Sequence, residues 1–172
     1  MIRRALIPLS MAVLATAADR LPIGAPLPTV SGESLAGKPL ELPAAAAGNP
    51  AVLVFSFAKA ASNDSRLWNE RLGKELGSAS PVNVFRVIEL ESAPRLFRGM
   101  ATSGIKSGLP KPLWEKTLVL YKDEDLWKQR LAVVSDKHSY LVVLDAAGRV
   151  QWMSAGAFHE AGFAELKKAL GR

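Results

Sequence analysis

Two short runs of apolar residues, separated by one amphipathic stretch, constrain the fold of this chain more than any other feature. Residues 51–57 and 82–90 are rich in β-branched and aromatic side chains, and such nearly continuous runs are typical of buried strands. Between them, four apolar residues recur at helical spacing from Leu67 to Leu76, and Gly77 follows. Together the three segments predict a βαβ unit with two parallel strands.

The segments on either side of this unit predict further strands and helices. In residues 24–42, Gly and Pro flank two short apolar runs, a pattern typical of a β-hairpin. A tight turn from Asp145 to Gly148 joins two β-rich runs, 139–144 and 149–153, and predicts a second hairpin. The remaining predictions are an irregular segment at 91–115, a strand at 117–121, a helix at 123–131, and a C-terminal helix with Phe163, Leu166, Ala169 and Leu170 on its apolar face.

The composition excludes several classes of site. The 172 residues suit one domain, and none of them is cysteine, so this chain supplies no disulfide, no Cys-ligated metal and no catalytic thiolate. The net charge is +6, but no dense basic stripe with interleaved aromatic residues is present, so we expect no nucleic-acid partner. His138 and His159 lack further donors at a metal-binding spacing, and we expect neither a metal nor a cofactor.

The first residues are typical of a targeting segment. Arg3 and Arg4 precede 13 mostly apolar residues that end in Ala-Thr-Ala, which predicts a secretory signal peptide at 1–17 and one domain at 18–172. The expected location is therefore extracytoplasmic, either periplasmic or secreted. A mitochondrial transit peptide is the alternative, because the segment is rich in Arg and Ala and contains no acidic residue. Cleavage would lower the net charge to +4, and we expect no transmembrane span in the mature chain.

The predicted order of elements resembles the thioredoxin fold with an N-terminal β-hairpin, a three-layer α/β fold with a central mixed sheet. From Gly24 onward the chain resembles secreted thioredoxin-like and peroxiredoxin-like families, with a Gly-x-x-x-Pro entry and a Gly-Lys-x-x-x-Leu hairpin. The resemblance places Ala61, Ser62, Asn63 and Asp64 where those families carry a CxxC pair. It places His138 and Ser139 where they carry a cis-proline. Since both elements are missing, the resemblance implies a redox-inactive member.

The second half resembles the thioredoxin-like family of mitochondrial ATP synthase assembly factors. The matching residues include Leu96-Phe97, the segment 106–110, and above all Tyr140, Asp145, Trp152 and Gly156, which occur in the same order at similar spacing. The chain departs from that pattern with Val150-Gln151-Trp152, where the family tends to have Ile-Arg-Trp. This resemblance covers about residues 95–165 and implies a non-redox binding role, with a connection to ATP synthase assembly as its narrower form.

Two interpretations are open for the polar residues before the first predicted helix. Ser62, Asn63 and Asp64 have the side chains that favour a helix N-cap, which is the simpler interpretation. Alternatively, Ser62 is a nucleophile and His138 its base, which would make the protein a hydrolase-like enzyme. Tyr140 and Trp152 fit cross-strand packing better than a ligand platform, and Asp145 fits a turn.

The predicted irregular segment is the best candidate for a partner surface, because its basic and apolar residues alternate. These residues are Arg95, Leu96, Phe97, Arg98, Lys106, Lys111 and Trp114. The functional interpretation predicts an exposed apolar patch with positive charge, suited to a protein partner that is membrane-associated or anionic. The alternative is a solvated insertion that covers a sheet edge. We therefore expect a non-redox binding or assembly module; the alternatives are the Ser62–His138 enzyme and a passive structural domain.

Overall fold

A computed structural model describes residues 20–77, 80–154 and 156–172, and the predicted signal peptide at 1–17 lies outside them. Within these ranges the chain forms one mixed sheet of seven strands in the order β2-β1-β5-β4-β3-β6-β7. The strands are β1 Val30–Ser34, β2 Pro39–Leu42, β3 Ala51–Ser56, β4 Asn83–Glu89, β5 Thr117–Leu120, β6 Tyr140–Leu144 and β7 Val150–Met153. The helices are α1 Ser62–Leu76, α2 Arg95–Gly108, α3 Glu124–Arg130 and α4 Glu160–Ala169, with short 3-10 helices at Ala44–Ala46, Lys59–Ala61 and Lys111–Lys116.

The predicted βαβ unit forms the centre of the sheet. β3 pairs parallel with β4 over its whole length, from Ala51 opposite Asn83 to Ser56 opposite Ile88. On its other side, β3 pairs antiparallel with β6. All residues of β3 except Ser56 are buried, which agrees with the nearly continuous apolar run in the sequence. The two predicted hairpins, β1–β2 and β6–β7, flank this centre.

Alternation along the strands divides the core into two clusters, one on each face of the sheet. Leu53 and Phe55 of β3 point to the face that Trp127 of α3 covers. Val52 and Val54 point to the opposite face, together with Leu141 and Val143 of β6. There α1 and α4 supply the other buried side chains, Trp68, Leu72, Leu76, Phe163 and Leu166. The result is a three-layer structure with helices on both faces of the sheet. None of the helices in the described ranges combines the length and apolar character needed to span a membrane.

The prediction of an irregular segment at 91–115 was wrong. The structure has the 14-residue helix α2 and the 3-10 helix Lys111–Lys116 in this part of the chain. Gly99 and Gly104 suggested breaks, but an interior glycine only weakens a helix by about 1 kcal/mol and does not end it. Residues Arg98, Thr102, Ile105 and Leu109 are partly buried at helical spacing, so α2 has an inner face, although none of its residues is fully buried.

Gly32 is the glycine whose replacement we expect to damage the sheet. It lies in β1, and a β-carbon there would overlap the carbonyl oxygen of Val119 and press on the side chain of Leu118. We expect Gly32→Ala to lower the free energy of unfolding by about 1–3 kcal/mol, measured by urea denaturation. Gly73→Ala is the matched control, because a β-carbon at this α1 position meets nothing and should raise that free energy by up to about 1 kcal/mol. Equal effects of the two changes would contradict this prediction.

Candidate functional site

The segment Ala61–Asp64 lies where β3 passes into α1; we call it the CxxC-equivalent segment. After β3 ends at Ser56, the 3-10 helix Lys59–Ala61 leads directly into α1. The two outer positions of the segment, Ala61 and Asp64, are buried, whereas Ser62 and Asn63 are exposed. Within the segment, therefore, the buried polar side chain is that of Asp64.

The carboxylate of Asp64 joins α1 to two loops that are distant in sequence. Its Oδ2 accepts a hydrogen bond from the backbone N–H of Ser139, at 2.8 Å, in the loop before β6. Its Oδ1 accepts a second one from the backbone N–H of Phe158, at 2.7 Å, in the loop before α4. The Phe158 ring also packs edge-on against Trp68 of α1, with ring centroids 5.0 Å apart. Asp64 is only 8% exposed; its bond to Ser139 is buried, and its bond to Phe158 is partly buried.

The N-cap interpretation of Ser62, Asn63 and Asp64 was wrong. The residue in the N-cap position of α1 is Ala61, and no side chain caps the helix there. Because the preceding 3-10 helix already gives Ala61 a helical backbone conformation, the three polar residues lie inside the first turn of α1. Asn63 accepts a hydrogen bond from the side chain of Arg66 on the helix surface, while Asp64 points to the loops.

Ser139 has a hydrogen bond that a proline could not make. A proline at this position would lack the backbone N–H that Ser139 donates to Asp64. Ser139 is fully buried, and its hydroxyl lies 3.3 Å from that of Ser56 at the end of β3. The hydrogen bond between Asp64 and Ser139 therefore joins the two positions at which the resemblance places a cysteine and a proline.

The structure does not pair the two residues of the catalytic alternative. Ser62 is exposed, His138 is half-buried, and no hydrogen bond joins their side chains in the described part of the chain. His159 has a structural task, since its Nδ1 accepts a hydrogen bond from the backbone N–H of Gly162 at the start of α4. The described ranges contain no group of three or more His, Cys, Asp or Glu side chains arranged to hold a metal ion.

Tyr140 organises the loop in front of β6. Its hydroxyl accepts hydrogen bonds from the backbone N–H groups of Val134 and Ser135 and donates one to the carbonyl of Ser135. The ring is buried and meets Phe57 edge-on, with centroids 6.3 Å apart. Tyr140 thus holds the backbone of the loop that leads to Ser139. Its ring packs in the core, as the strand pattern predicts.

The other residues of the C-terminal motif also hold the backbone in place. Asp145 closes the β6–β7 turn by accepting two backbone N–H groups through Oδ1, and its Oδ2 accepts the side chain of Gln151. Trp152 is half-buried and donates from Nε1 to Glu165 of α4. Gly156 has a φ of +97°, a conformation that favours glycine, in the loop that leads to Phe158. Tyr140 and Gly156 therefore support the two loops that Asp64 joins, whereas Asp145 holds the turn at the opposite end of β6.

Sequence reasoning missed a buried carboxyl at the end of β4. Glu89 is 3% exposed; its Oε1 accepts the backbone N–H of Glu91, while its Oε2 is buried without a partner. Burial raises the pKa of Glu89 to about 7, with a further contribution from the charges of Glu124 and Glu91. The alternation of β4, which also turns Phe85 and Val87 to the buried face, is the sequence pattern that could have identified it.

Glu89 lies beneath a reciprocal contact between the β4–α2 turn and the start of α3. The carboxylate of Glu91 accepts the backbone N–H of Glu124, at 2.8 Å, and the carboxylate of Glu124 accepts that of Ser92, at 3.1 Å. Lys128 lies 2.8 Å from Glu124, and the hydrogen bond between these side chains raises the pKa of Lys128. This cluster fixes the position at which α2 begins.

The predicted partner residues of 95–114 divide into exposed and internally engaged groups. Leu96 and Phe97 are 93% and 55% exposed, and Met100, which the sequence analysis did not single out, is 71% exposed. Arg95 and Lys111 are also exposed. We call these five residues the α2 surface.

The other three predicted partner residues attach α2 to the domain. Arg98 donates to the carbonyls of Glu91 and Ala93, and its guanidinium lies over the ring of Tyr121. The ammonium of Lys106 lies over the ring of Trp114, whose Nε1 donates to a carbonyl at the end of α2. These three side chains therefore position the α2 surface rather than form it.

Comparison with solved structures finds similar folds at low sequence identity. A candidate thiol:disulfide interchange protein, DsbE, from Chlorobium tepidum matches with a TM-score of 0.64 and 15% identity, over 87% of this chain and 96% of that one. The thioredoxin domain of a thiol-disulfide oxidoreductase from Bacteroides vulgatus matches with 0.60 and 16%, over 86% and 97%. The exposed lipoprotein thioredoxin of Streptococcus pneumoniae matches with 0.57 and 19%, over 82% and 99%.

No family model matches the sequence, and no curated protein does. At these identities the structural matches establish the architecture and leave function to the residues of the site. The chain has a thioredoxin-like α/β fold, and its central mixed sheet and flanking helices are those of thiol-disulfide oxidoreductase structures.

Proposed function

We propose that this protein is a non-redox binding module, built on the thioredoxin fold, that holds a protein partner during assembly of a membrane-associated complex. The observation that carries the proposal is the buried carboxylate of Asp64 in the CxxC-equivalent segment. This carboxylate accepts hydrogen bonds from two backbone N–H groups and so helps to hold the fold together. A position that the fold uses elsewhere for a reactive sulfur is here committed to holding loops together.

The structural neighbours are thiol-disulfide proteins, but the residues of this chain argue against that chemistry. Thiol–disulfide exchange begins with attack of a thiolate on a disulfide sulfur. This sequence contains no cysteine and supplies neither group. The binding role is favoured by the α2 surface, since exposed apolar side chains such as Leu96 and Met100, bordered by charge, are typical of interaction sites.

We further propose an extracytoplasmic location and an assembly role. The location is supported by the signal-like residues 1–17 and by the similarity to an exposed lipoprotein thioredoxin. The assembly role is supported by the resemblance of Tyr140, Asp145, Trp152 and Gly156 to the ATP synthase assembly factor motif. These four residues hold loops, a turn and the contact between β7 and α4 in place, so the motif describes the scaffold, whereas α2 supplies the contact with the partner.

Photocrosslinking in the native host tests the proposal. A photoreactive amino acid at position 96 or 100 should capture the same discrete protein, because both side chains project from the α2 surface. Positions 23 and 134 are the matched controls, since Ile23 and Val134 are also highly exposed apolar residues but lie outside α2. Absence of a product at 96 and 100, or the same products at all four positions, would contradict the proposed function.

A further inference from the structure

The charged residues of α2 and of the segment that follows it, up to Trp114, are all basic. From Ser92 to Trp114 the sequence contains four basic residues, Arg95, Arg98, Lys106 and Lys111, and no acidic residue. The acidic residue that follows, Glu115, forms an ion pair with Lys38 at 2.6 Å. Neither Arg95 nor Lys111 pairs with an acidic side chain within the described ranges. An approaching partner therefore meets uncompensated positive charge.

The outer face of α2 has two different halves. Leu96, Met100, Ser103 and Ser107 are all exposed and lie three or four residues apart, so they share one face of the helix. The first half of this face is apolar and protruding. The second half has only small side chains, and a β-carbon at the adjacent Gly104 would meet nothing within 4 Å. Another helix could approach closely here, against the Ser and Gly positions, while its side chains pack beside Leu96 and Met100.

We propose that the α2 surface docks an acidic amphipathic helix of a protein partner, with its apolar stripe on Leu96, Phe97 and Met100 and its carboxylates near Arg95 and Lys111. This inference rests on the proposed function and names the chemistry of the partner. The docked helix would contact the whole length of α2, which is about 21 Å at 1.5 Å per residue.

Two other occupants fit the face less well. A lipid surface would be contacted by three apolar side chains at one end of α2, since the small second half has nothing to insert. A second copy of this chain would bring the same positive charges together, which disfavours self-association through α2. Charge complementarity therefore selects a partner that carries carboxylates.

Fluorescence anisotropy with two designed peptides tests this proposal. One labelled peptide forms an amphipathic helix with leucines on one face and glutamates on the other; the second has lysine in place of each glutamate. We expect the unmodified chain to bind the glutamate peptide at least about tenfold more tightly, with the preference falling as salt rises. The double variant Arg95→Glu, Lys111→Glu should reverse the preference, because both side chains are exposed and the fold does not depend on them.

Gly104→Leu separates the occupants. The substitution meets open space and replaces glycine by a better helix former, so the melting temperature should not fall. It should weaken binding of the glutamate peptide at least about fivefold by blocking close approach of a helix. On vesicles of phosphatidylcholine and phosphatidylglycerol, the added leucine would instead strengthen any binding.

Three results would overturn the inference. They are equal or undetectable binding of the two peptides, stronger vesicle sedimentation of Gly104→Leu with unchanged peptide binding, and a concentration-dependent dimer that Gly104→Leu abolishes. Each can occur while crosslinking from positions 96 and 100 still captures a protein. In that case the chemistry assigned to the partner is wrong and the proposed function stands.

Discussion

Asp64→Ala is expected to lower the free energy of unfolding by about 3–5 kcal/mol, the largest effect of any single substitution at the candidate site. The carboxylate accepts two short hydrogen bonds, from the N–H groups of Ser139 and Phe158, in a position that is 8% exposed. A hydrogen bond to a charged group contributes about 1.5–3 kcal/mol, and alanine leaves one buried and one partly buried donor without an acceptor. Urea denaturation of the variant and the unmodified chain measures the difference.

Two further variants show whether this loss comes from the two hydrogen bonds. Asn63→Ala changes the neighbouring residue, which is exposed and contacts Arg66 on the surface, and should change stability by less than about 0.5 kcal/mol. Asp64→Asn keeps one oxygen but presents an NH₂ to the second donor, so we expect an intermediate loss. If Asp64→Ala cost less than about 1 kcal/mol, Asp64 would not hold the two loops, and the proposed framework role would fail.

The central elements of this fold were predictable because their sequences agree with their final surroundings. Residues 51–57 form a nearly continuous apolar run, and β3 is buried on both faces. The Asp145–Gly148 turn was predictable because its geometry depends on residues close in sequence, and Asp145 does bond to the backbone of its own turn. Local patterns of this kind need no knowledge of the rest of the chain.

Helix α2 was predicted wrongly although its sequence is amphipathic. Its glycines suggested a loop, and the prediction gave them more weight than the helical period of its apolar residues. What attaches it is non-local: Arg98 reaches back to the β4–α2 turn, and Thr102 contacts the hydroxyl of Tyr121 after β5. Such contacts exist only once the sheet has brought β4 and β5 together.

At the site, the resemblance indicated which segments meet. The role of Asp64 could not be predicted, because its hydrogen-bond partners are far away in the sequence. A polar residue at the start of a helix looks the same in sequence whether it caps that helix or reaches another loop. The partners of Asp64 are 75 and 94 residues away, so no local pattern identifies them. Glu89 is different, because its position in the alternation of β4 marks it as inward-facing.

Replacement of Glu89 by glutamine is expected to stabilise the protein at alkaline pH and to have little effect at acidic pH. The pKa of Glu89 is raised from the ordinary value of 4.5 to about 7, first because the carboxyl is buried and then because the carboxylates of Glu124 and Glu91 face it. The cation close to this cluster, Lys128, is engaged by Glu124 and Asp136.

The direction of the pH effect follows from proton binding. Below pH 4.5 Glu89 is protonated in both the folded and the unfolded chain, and burial of the neutral group carries no ionisation cost. Between 4.5 and about 7 the unfolded chain loses this proton first, so the free energy of unfolding falls as pH rises, and the loss is complete above about 7. The whole step corresponds to about 3 kcal/mol.

Glutamine reproduces the neutral side chain at every pH, so the step should vanish in Glu89→Gln. Urea denaturation at about pH 5 and about pH 8 should show the variant gaining about 2–3 kcal/mol over the unmodified chain between the two conditions. Glu33→Gln on the exposed side of β1 removes the same charge from the surface and corrects for the change in net charge. A gain that is the same at both pH values, or equal in the two variants, would mean that the carboxyl of Glu89 is ionised in the fold. The buried Oε2 would then need a partner that the surrounding side chains do not supply, because the carboxylates of Glu91 and Glu124 repel a charge at this position.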